Sequence, residues 1–280
     1  MRTHPTLRAA GLAAVALLAV AGAAGAVEAT ETLRRSFTVP AAAGERSIEV
    51  DNVFGSVRVR GGDGDRVEIV VTQKLRADDA EALARARAEV RLEVVEAAGR
   101  LELVQDGPFR RDHGRRHRDP GYEVSWDWEV TVPRDADLEV STVNGGEVRV
   151  IDVRGRLDAA NVNGDVRLEE VGSVTEAATV NGDVEVVFAE TLTGPAEFAT
   201  VNGEIDLAFP RGFGAELEFS TLHGEVYTDF EVGSGPTPAR VESSGKGHWR
   251  IGRDSVVVLG GGGPRLECST VNGDILIRER

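Results

Sequence analysis

Apolar and polar residues alternate along the second half of the chain, in short runs placed at fixed distances from a recurring Val-Asn-Gly turn. Counted from the asparagine, apolar side chains recur four residues before it and three and five residues after it. Alternation with a period of two is typical of a strand that buries one face. Each repeat therefore predicts a strand, a turn and a second strand.

The turns recur at nearly constant intervals. From Gly145 to Gly224, successive turn glycines are separated by 19, 18, 21 and 21 positions. A period of roughly 20 residues is typical of stacked repeat proteins. The residues that we expect to form the turns are Asn144, Gly145, Asn163, Gly164, Asn181, Gly182, Asn202, Gly203, His223, Gly224, Asn272 and Gly273. Asparagines at equivalent turns should lie one above another, with side chains able to hydrogen bond along the stack.

Two repeats depart from this template. The Asn144 repeat keeps its alternation only if Gly146 is counted as an inserted residue, as in a β-bulge. Nearer the N-terminus, Phe54 occupies the asparagine position, and the apolar positions from Ile48 to Val59 stay in register. We therefore expect the repeats to begin near residue 46.

These patterns predict an all-β fold, a single-stranded parallel β-helix (β-solenoid) with repeats of about 20 residues. Asn-Gly between alternating strands is also a strong hairpin signal, so an antiparallel meander is the alternative. Successive repeats resemble each other at every position, which favours stacked coils. One short helix is expected from about Asp78 to Glu89, where two aspartates precede a run of helix-forming residues.

The N-terminus has the composition of an export signal. A basic start precedes an apolar stretch from Gly11 to Ala23, and small residues form a cleavage site that ends at Ala26. We divide the chain into a signal peptide, residues 1–26, and one β-solenoid domain, residues 27–280. The mature chain has no further apolar stretch of membrane-spanning length. We expect a periplasmic, cell-envelope or secreted protein, with a retained signal acting as an anchor as the alternative.

The chain is strongly acidic. Its formal net charge is −15, and it becomes −17 once residues 1–26, which contain two arginines and no acid, are removed. Such a charge opposes binding to nucleic acid and anionic lipid, so nucleic acid is not expected as a partner. The only cysteine, Cys268, cannot form an internal disulfide, and its position in the repeat predicts a buried core residue.

An acidic residue follows the turn glycine in most repeats. These residues are Asp165, Asp183, Glu204, Glu225 and Asp274. A stacked row of carboxylates could gather Ca²⁺ through oxygen ligands, or it could form a solvated edge. Calcium-binding β-helix repeats have a period of about nine residues, which this chain lacks. We therefore predict no metal site and no cofactor, and keep Ca²⁺ as an alternative.

Residues 107–121 form an irregular, basic insert in this acidic chain. Its arginines are Arg110, Arg111, Arg115, Arg116 and Arg118. Guanidinium groups pair with carboxylates and phosphates, so the insert could bind an anionic envelope polymer. The alternative is a loop attracted to the acidic surface of the protein itself. Just beyond the insert, Trp126 and Trp128 share one face of a strand, where they could stack on a sugar ring or pack in the core.

The repeated Thr-Val-Asn-Gly-Asp-Val sequence behind an export signal resembles the putative adhesin domain family of bacterial envelope proteins. The segments that carry the resemblance are Thr179–Val184, Thr200–Ile205, Gly245–Gly252 and Ser269–Ile275. The resemblance implies a β-solenoid with an adhesin-like role. It brings no set of catalytic residues with it.

Together these features predict an exported, noncatalytic envelope or surface module that binds or scaffolds an envelope glycan or protein. One alternative is a polysaccharide-active β-helix enzyme, a lyase or hydrolase, which would place paired carboxylates on a lateral face. Another is a regulatory partner of an envelope signalling protein, which would present an exposed strand face. No pair stands out among 47 acidic residues, so we predict no catalytic residue.

Overall fold

The structure is a computed structural model that describes residues 14–20, 26–40, 46–110, 120–233, 241–245, 248–251 and 255–280. Within these ranges the chain forms 24 strands, one α-helix and a short 3₁₀ turn at Pro108–Arg110. The elements are β1 (Ala14–Val20), β2 (Val27–Thr38), β3 (Ser47–Asp51), β4 (Val57–Gly62), β5 (Arg66–Ala77), α1 (Ala80–Glu89), β6 (Arg91–Ala97), β7 (Arg100–Asp106), β8 (Tyr122–Pro133), β9 (Asp137–Ser141), β10 (Val148–Ile151), β11 (Arg156–Ala160), β12 (Val166–Val171), β13 (Ser173–Ala178), β14 (Val184–Phe188), β15 (Ala196–Ala199), β16 (Ile205–Phe209), β17 (Ala215–His223), β18 (Val226–Thr228), β19 (Val232–Gly233), β20 (Val241–Gly245), β21 (His248–Ile251), β22 (Ser255–Leu259), β23 (Arg265–Asn272) and β24 (Ile275–Glu279).

Two long sheets face each other across one core. We call the sheet that contains β4 sheet A and the sheet that contains β3 sheet B. A rung is one strand of sheet B followed by one strand of sheet A, and each strand pairs in parallel with the equivalent strand of the next rung. The rungs are β3–β4, β7–β8, β9–β10, β11–β12, β13–β14, β15–β16, β17–β18 and β23–β24. The predicted parallel β-helix is confirmed. The hairpin alternative is wrong, because the strands before and after each Asn-Gly turn belong to different sheets.

The rungs do not stack in strict sequence order. At one end, the β7–β8 rung lies outside the β3–β4 rung. At the other end, the β23–β24 rung lies between β15–β16 and β17–β18. The middle rungs, from β9–β10 to β15–β16, follow each other in order.

Antiparallel strands extend both ends of the stack. At the first end, β8 pairs with β5, β5 with β2, and β2 with β1. β1 lies inside the segment predicted as an export signal, and the cleavage of that signal stays a prediction. At the other end, β22 and β19 extend sheet B, and β21 and β20 extend sheet A.

The helix α1 closes the first end. It begins one residue after Asp79, whose side chain accepts a hydrogen bond from the backbone of Ala82 at 2.7 Å and so caps the helix. Its buried residues pack against the apolar side chains of β2 and β5. The helix thus covers apolar surface of the sheet extension.

The core is one continuous stack of inward-facing side chains. The first inward-facing sheet A position after each turn is fully buried in every rung; its residues are Trp128, Val57, Val148, Val166, Val184, Ile205, Ile275 and Val226. Aromatic rings stack toward the second end, with 4.4 Å between the centroids of Phe188 and Phe209 and 3.9 Å between those of Phe209 and Phe213. Cys268 is fully buried in the same core, where burial raises the pKa of its thiol.

Candidate binding surfaces of the β-helix

The turn asparagines form a ladder along one edge of the stack. The Nδ2 atom of each asparagine donates to the Oδ1 atom of the asparagine in the preceding rung, at 2.8–2.9 Å, from Asn144 through Asn272. His223 continues the same column beside Asn272. Because the amide groups of the ladder bond to each other, their role is to stabilise the stacked turns.

Next to the ladder, outward-facing aliphatic side chains precede each asparagine. Val180, Val201, Val271 and Leu222 are 38–58% exposed, which is unusual for aliphatic residues of this size in this protein. The edge therefore consists of a narrow apolar stripe beside a ladder of amide groups that already bond to each other. It offers few free polar groups to a ligand.

A row of buried threonines inside the turn was missed by the sequence analysis. The hydroxyls of Thr142, Thr179, Thr200, Thr270 and Thr221 each donate to a glycine carbonyl of the adjoining rung, at 2.8–3.1 Å. Asn161 does the same with its amide group at 2.9 Å. The signal was present in the sequence, because a threonine or asparagine stands two residues before each turn asparagine.

The turn glycines are required because neighbouring rungs approach each other closely. A Cβ atom on Gly182 would lie 2.4 Å from the carbonyl oxygen of Gly164, and one on Gly203 would lie 1.9 Å from that of Gly182. In the Asn144 rung the residue in this stacked position is Gly146, since its Cβ would meet the backbone of Gly55 at 2.3 Å. Gly145 is the inserted residue, with a φ of +79° and open space around it, so the expectation that Gly146 is the insertion was wrong.

The acids that follow the turn glycines bond to the backbone of the stack. Asp165 accepts a hydrogen bond from the N–H of Asp183 at 3.0 Å, and Asp183 accepts one from that of Glu204 at 2.8 Å. Burial raises the pKa of Glu204, and its acidic neighbours raise it further. Among the described residues, no three His, Cys, Asp or Glu side chains are grouped so that they could hold a metal ion. Calcium binding stays a prediction.

The outer face of sheet B carries an unbroken line of acids, one per rung. We call it the carboxylate column; in stacking order it comprises Glu102, Glu49, Glu139, Asp158, Glu176, Glu197, Glu267 and Glu218. Strand spacing separates neighbours by about 4.8 Å. The sequence analysis missed this column as well, although an acid stands five residues before the asparagine position in every repeat.

Cations neutralise only the two ends of the carboxylate column. Arg100 bonds to Glu49 at 2.9 Å and to Glu102 at 2.6 Å, and Arg265 bonds to Glu218. In the described part of the chain, the five acids between Glu49 and Glu218 have no ion pair. Burial, followed by the charges of Glu139 and Glu102, raises the pKa of Glu49.

The surface beside the middle of the carboxylate column carries small side chains. The Oδ1 atom of Asp158 is buried and has no hydrogen-bond partner. Beside the column, the adjacent outward row consists of small side chains: Ser141, Ala160, Ala178, Ala199, Ser269 and Ser220. An extended partner could therefore approach the acids without meeting bulky groups.

The outer face of sheet A has a different character, because it carries both arginines and acids, and these form ion pairs. Arg149 bonds to Glu169 at 2.6 Å. Arg167 lies 3.5 Å from Glu147 and 3.3 Å from Glu185. This face is largely neutralised by its own residues.

For three of the possible ligand residues in and beside the insert, the structure agrees with the alternative to ligand binding. Trp126 and Trp128 are 1% and 0% exposed, so they cannot stack on a ligand, and core packing is their role. The Nη1 atom of Arg110 donates to Asp51 at 2.7 Å, and its Nε donates to the carbonyl of Gln105 at 2.7 Å. Arg110 is thus bound to the acidic surface of the protein itself. Arg111, Arg115, Arg116 and Arg118 lie outside the described residues.

A two-sheet parallel β-helix with Asn-Gly turns is the class of protein that this geometry defines. The model of the Toastrack DUF4097 family matches residues 136–256 of the chain. The resemblance to the putative adhesin domain family is confirmed. The stacked rungs continue on both sides of the matched segment, from β3 to β24.

Three solved structures are similar to this chain. A putative cell adhesion protein from Clostridium sporogenes is 13% identical, with 88% of this chain and 99% of that chain covered and a TM-score of 0.42. A putative adhesin from Bacteroides fragilis is 12% identical (89% and 97% covered, TM-score 0.27), and a putative lipid binding protein from Parabacteroides distasonis is 10% identical (88% and 96% covered, TM-score 0.34). Scores this low support no conclusion about a ligand. No curated protein matches the chain.

Within the ranges that the structure describes, no helix is long and apolar enough to cross a membrane.

Proposed function

We propose that this protein is an exported, noncatalytic module of the bacterial envelope or cell surface, adhesin-like, which binds a partner along the outer face of sheet B. The observation that carries the proposal is the line of five consecutive carboxylates without ion pairs. At a spacing of about 4.8 Å, neighbouring like charges repel each other by roughly 1 kcal/mol in water. A partner with a row of positive groups would relieve this repulsion.

The proposed partner is an envelope glycan or protein segment that presents several ammonium or guanidinium groups. Its charges would face the carboxylate column, and its backbone would lie over the row of Ala and Ser side chains. Ca²⁺ is a competing occupant of the same acids. The idea that the 107–121 insert binds an anionic polymer stays a separate prediction.

The repeat also argues for a noncatalytic role. General acid–base catalysis of glycan cleavage uses two carboxylates in different environments, so that one is protonated and the other ionised. The carboxylate column instead repeats nearly the same environment from rung to rung. Cleavage by this protein would require a carboxylate pair distinct from this column.

The test measures binding of the full chain to an oligomeric glycan with free amino groups, to a basic peptide, and to neutral and anionic glycans of equal length. The substitution set Glu139→Gln, Glu176→Gln and Glu197→Gln should weaken binding of the cationic partners by roughly tenfold. Added salt should weaken it in the unsubstituted protein.

The matched control is Glu169→Gln, Glu185→Gln and Asp206→Asn, which removes the same charge from sheet A. Equal losses in both sets would show that net charge alone attracts the partner, and would contradict a site on sheet B. The appearance of new chain ends in any glycan would contradict the noncatalytic role. Selection of one cationic probe over the other would identify the partner as glycan or protein.

A further inference from the structure

A cavity of about 850 Å³ lies at the first end of the stack, where β2, β5 and β8 extend sheet A. Ala29, Leu75 and Val124, from these three strands, contribute apolar surface to it. Binding sites for small molecules have volumes of roughly 300–1,000 Å³ and mainly apolar linings. The cavity has the size and the lining of such a site, and it is separate from the carboxylate column.

Aromatic residues form one wall of the cavity. Phe54 and Phe109 pack edge to face with 5.1 Å between ring centroids, and Tyr122 lines the same space. Phe54 is the residue that replaces the turn asparagine, and its backbone pairs with Asn144 at the end of the ladder. The polar ladder therefore ends in an aromatic ring at the rung that borders the cavity.

One carboxylate at the cavity is held by the aromatic wall. Glu89, the last residue of α1, accepts a hydrogen bond from the hydroxyl of Tyr122 at 2.5 Å. Burial and this hydrogen bond raise the pKa of Tyr122, so the phenol stays protonated and acts as the donor. Arg85, one turn earlier, bonds to Glu81 at 3.3 Å and to the carbonyl of Pro120 at 3.2 Å.

Both basic residues among the described residues that line the cavity are paired. Lys74 bonds to Asp127 at 2.7 Å, and Arg76 lies 3.9 Å from Glu28. In the ranges that the structure describes, Glu89 has no ion pair with a basic side chain. Among the described lining residues, the charge left without an ion pair next to the aromatic rings is therefore negative.

We propose that the cavity binds an organic cation with an apolar body, such as an alkylammonium group. The positive group would contact the aromatic wall and Glu89, because aromatic faces attract ammonium groups and a carboxylate supplies the counter-charge. The apolar body would lie along Ala29, Leu75 and Val124. This site is independent of the proposed partner on sheet B.

The experiment titrates the full chain with hexyltrimethylammonium, 1-hexanol and hexanoate, followed by calorimetry. These probes share one alkyl chain and differ in the charge of the polar end. We expect the cation to bind most tightly. Glu89→Gln should weaken its binding by about tenfold and leave that of hexanol unchanged. Phe109→Ala should weaken binding of the cation by roughly threefold.

Glu93→Gln on β6, an exposed acid outside the cavity lining, is the matched control for lost charge and should leave binding unchanged. Thermal unfolding of each variant verifies that it is folded. The proposal is overturned if hexanol or hexanoate binds as tightly as the cation, if Glu93→Gln weakens binding as much as Glu89→Gln, or if no probe saturates the unsubstituted protein.

Discussion

The outer faces of sheet A and sheet B are built from the same rungs and yet carry different arrangements of charge. On sheet A, arginines and acids occur together and form ion pairs, as Arg149 does with Glu169 at 2.6 Å. On sheet B, the carboxylate column places one acid on each rung, and ion pairs are confined to the two ends of the column. The fold imposes strand spacing on both faces equally, so it does not account for this difference.

Stability does not account for the difference either. Exposed ion pairs contribute little, typically up to about 1 kcal/mol each, and unpaired like charges at strand spacing are unfavourable. A face that keeps an unfavourable arrangement over several rungs is best explained by a partner that binds there. This difference between the faces is the reason for placing the proposed partner on sheet B. Four predictions test it, beginning with the contacts on which both faces depend.

The largest effect is expected for Gly182→Val, which disrupts the turn that joins the two faces. A Cβ atom at this position would lie 2.4 Å from a backbone oxygen of the adjacent rung, so both faces should lose their spacing. We expect the free energy of unfolding to fall by about 4 kcal/mol or more, measured by chemical denaturation. Gly194→Val is the control, since nothing lies within 4 Å of a Cβ there. Equal stability of the two variants would disprove the close approach of rungs.

A smaller loss is expected for Thr200→Val, which keeps the shape of the buried side chain but removes its hydroxyl. Thr200 donates to the carbonyl of Gly182 at 2.9 Å, and the valine variant leaves that carbonyl without its donor. Unfolding in denaturant should show a loss of about 1–2 kcal/mol. Thr191→Val, at an exposed position, should change little. A loss as large in the control would mean that the threonine row does not connect the rungs.

The pH dependence of stability should have opposite signs for Glu49, which lies between other acids, and for Asp127, whose carboxylate accepts hydrogen bonds from Lys74 and Ser56. The raised pKa of Glu49 means that the folded state is penalised as pH rises from the ordinary pKa to the raised one. Asp127 is the opposite case: burial raises its pKa, but hydrogen bonds from Lys74 and Ser56 outweigh burial and lower it. The stability that Asp127 contributes is present above its ordinary pKa and is lost as pH falls through the lowered value.

Denaturation between acidic and neutral pH tests this contrast. The stability of Glu49→Gln, measured relative to the unsubstituted protein, should be higher at neutral pH than in acid. Asp127→Asn should be less stable than the unsubstituted protein at neutral pH, and the difference should shrink in acid. The same sign for both variants would contradict the opposite pKa shifts of Glu49 and Asp127.

The smallest effect is expected for single neutralisations on the two faces. Glu176→Gln should raise the melting temperature slightly, because it removes repulsion within the column. Glu169→Gln should lower it slightly, because it breaks the pair with Arg149. Each change corresponds to roughly 0.5 kcal/mol and should fade as salt is added. If both variants shift the melting temperature in the same direction, the two faces do not differ electrostatically.

The sequence predicted the stacked core because burial acts locally. Every inward position requires an apolar residue, so alternation and a constant repeat length were sufficient to place Val166, Val184 and Ile205 correctly. The order of the rungs was beyond such reasoning, because β7 and β23 are placed by pairing with strands distant in sequence. For Trp126 and Trp128, alternation with acids fits either face of the strand, and only the register of β8 beside β4, which pairs Trp128 with the core residue Val57, decides it.

The candidate sites were predicted less well than the core. The carboxylate column was visible in the sequence as a periodic acid, but it stands on the strand before the turn, whereas the predicted acids follow the turn. The cavity could not be predicted, because its walls come from segments as far apart as Ala29 and Val124. A periodic pattern predicts only the features that every rung shares. This cavity depends on Phe54, which departs from the repeat.

The displaced β23–β24 rung has a consequence for synthesis. A chain that grows from its N-terminus can add each middle rung to the preceding one as it leaves the ribosome, up to β16. The rung that follows in sequence, β17–β18, has its parallel partners in β23 and β24 and must wait for them. Until residues 265–279 have been made, the strand edges of β15 and β16 have no permanent neighbour. Unpaired edges invite pairing with other chains, so completion of this stack is the step at which a nascent chain most needs protection from aggregation.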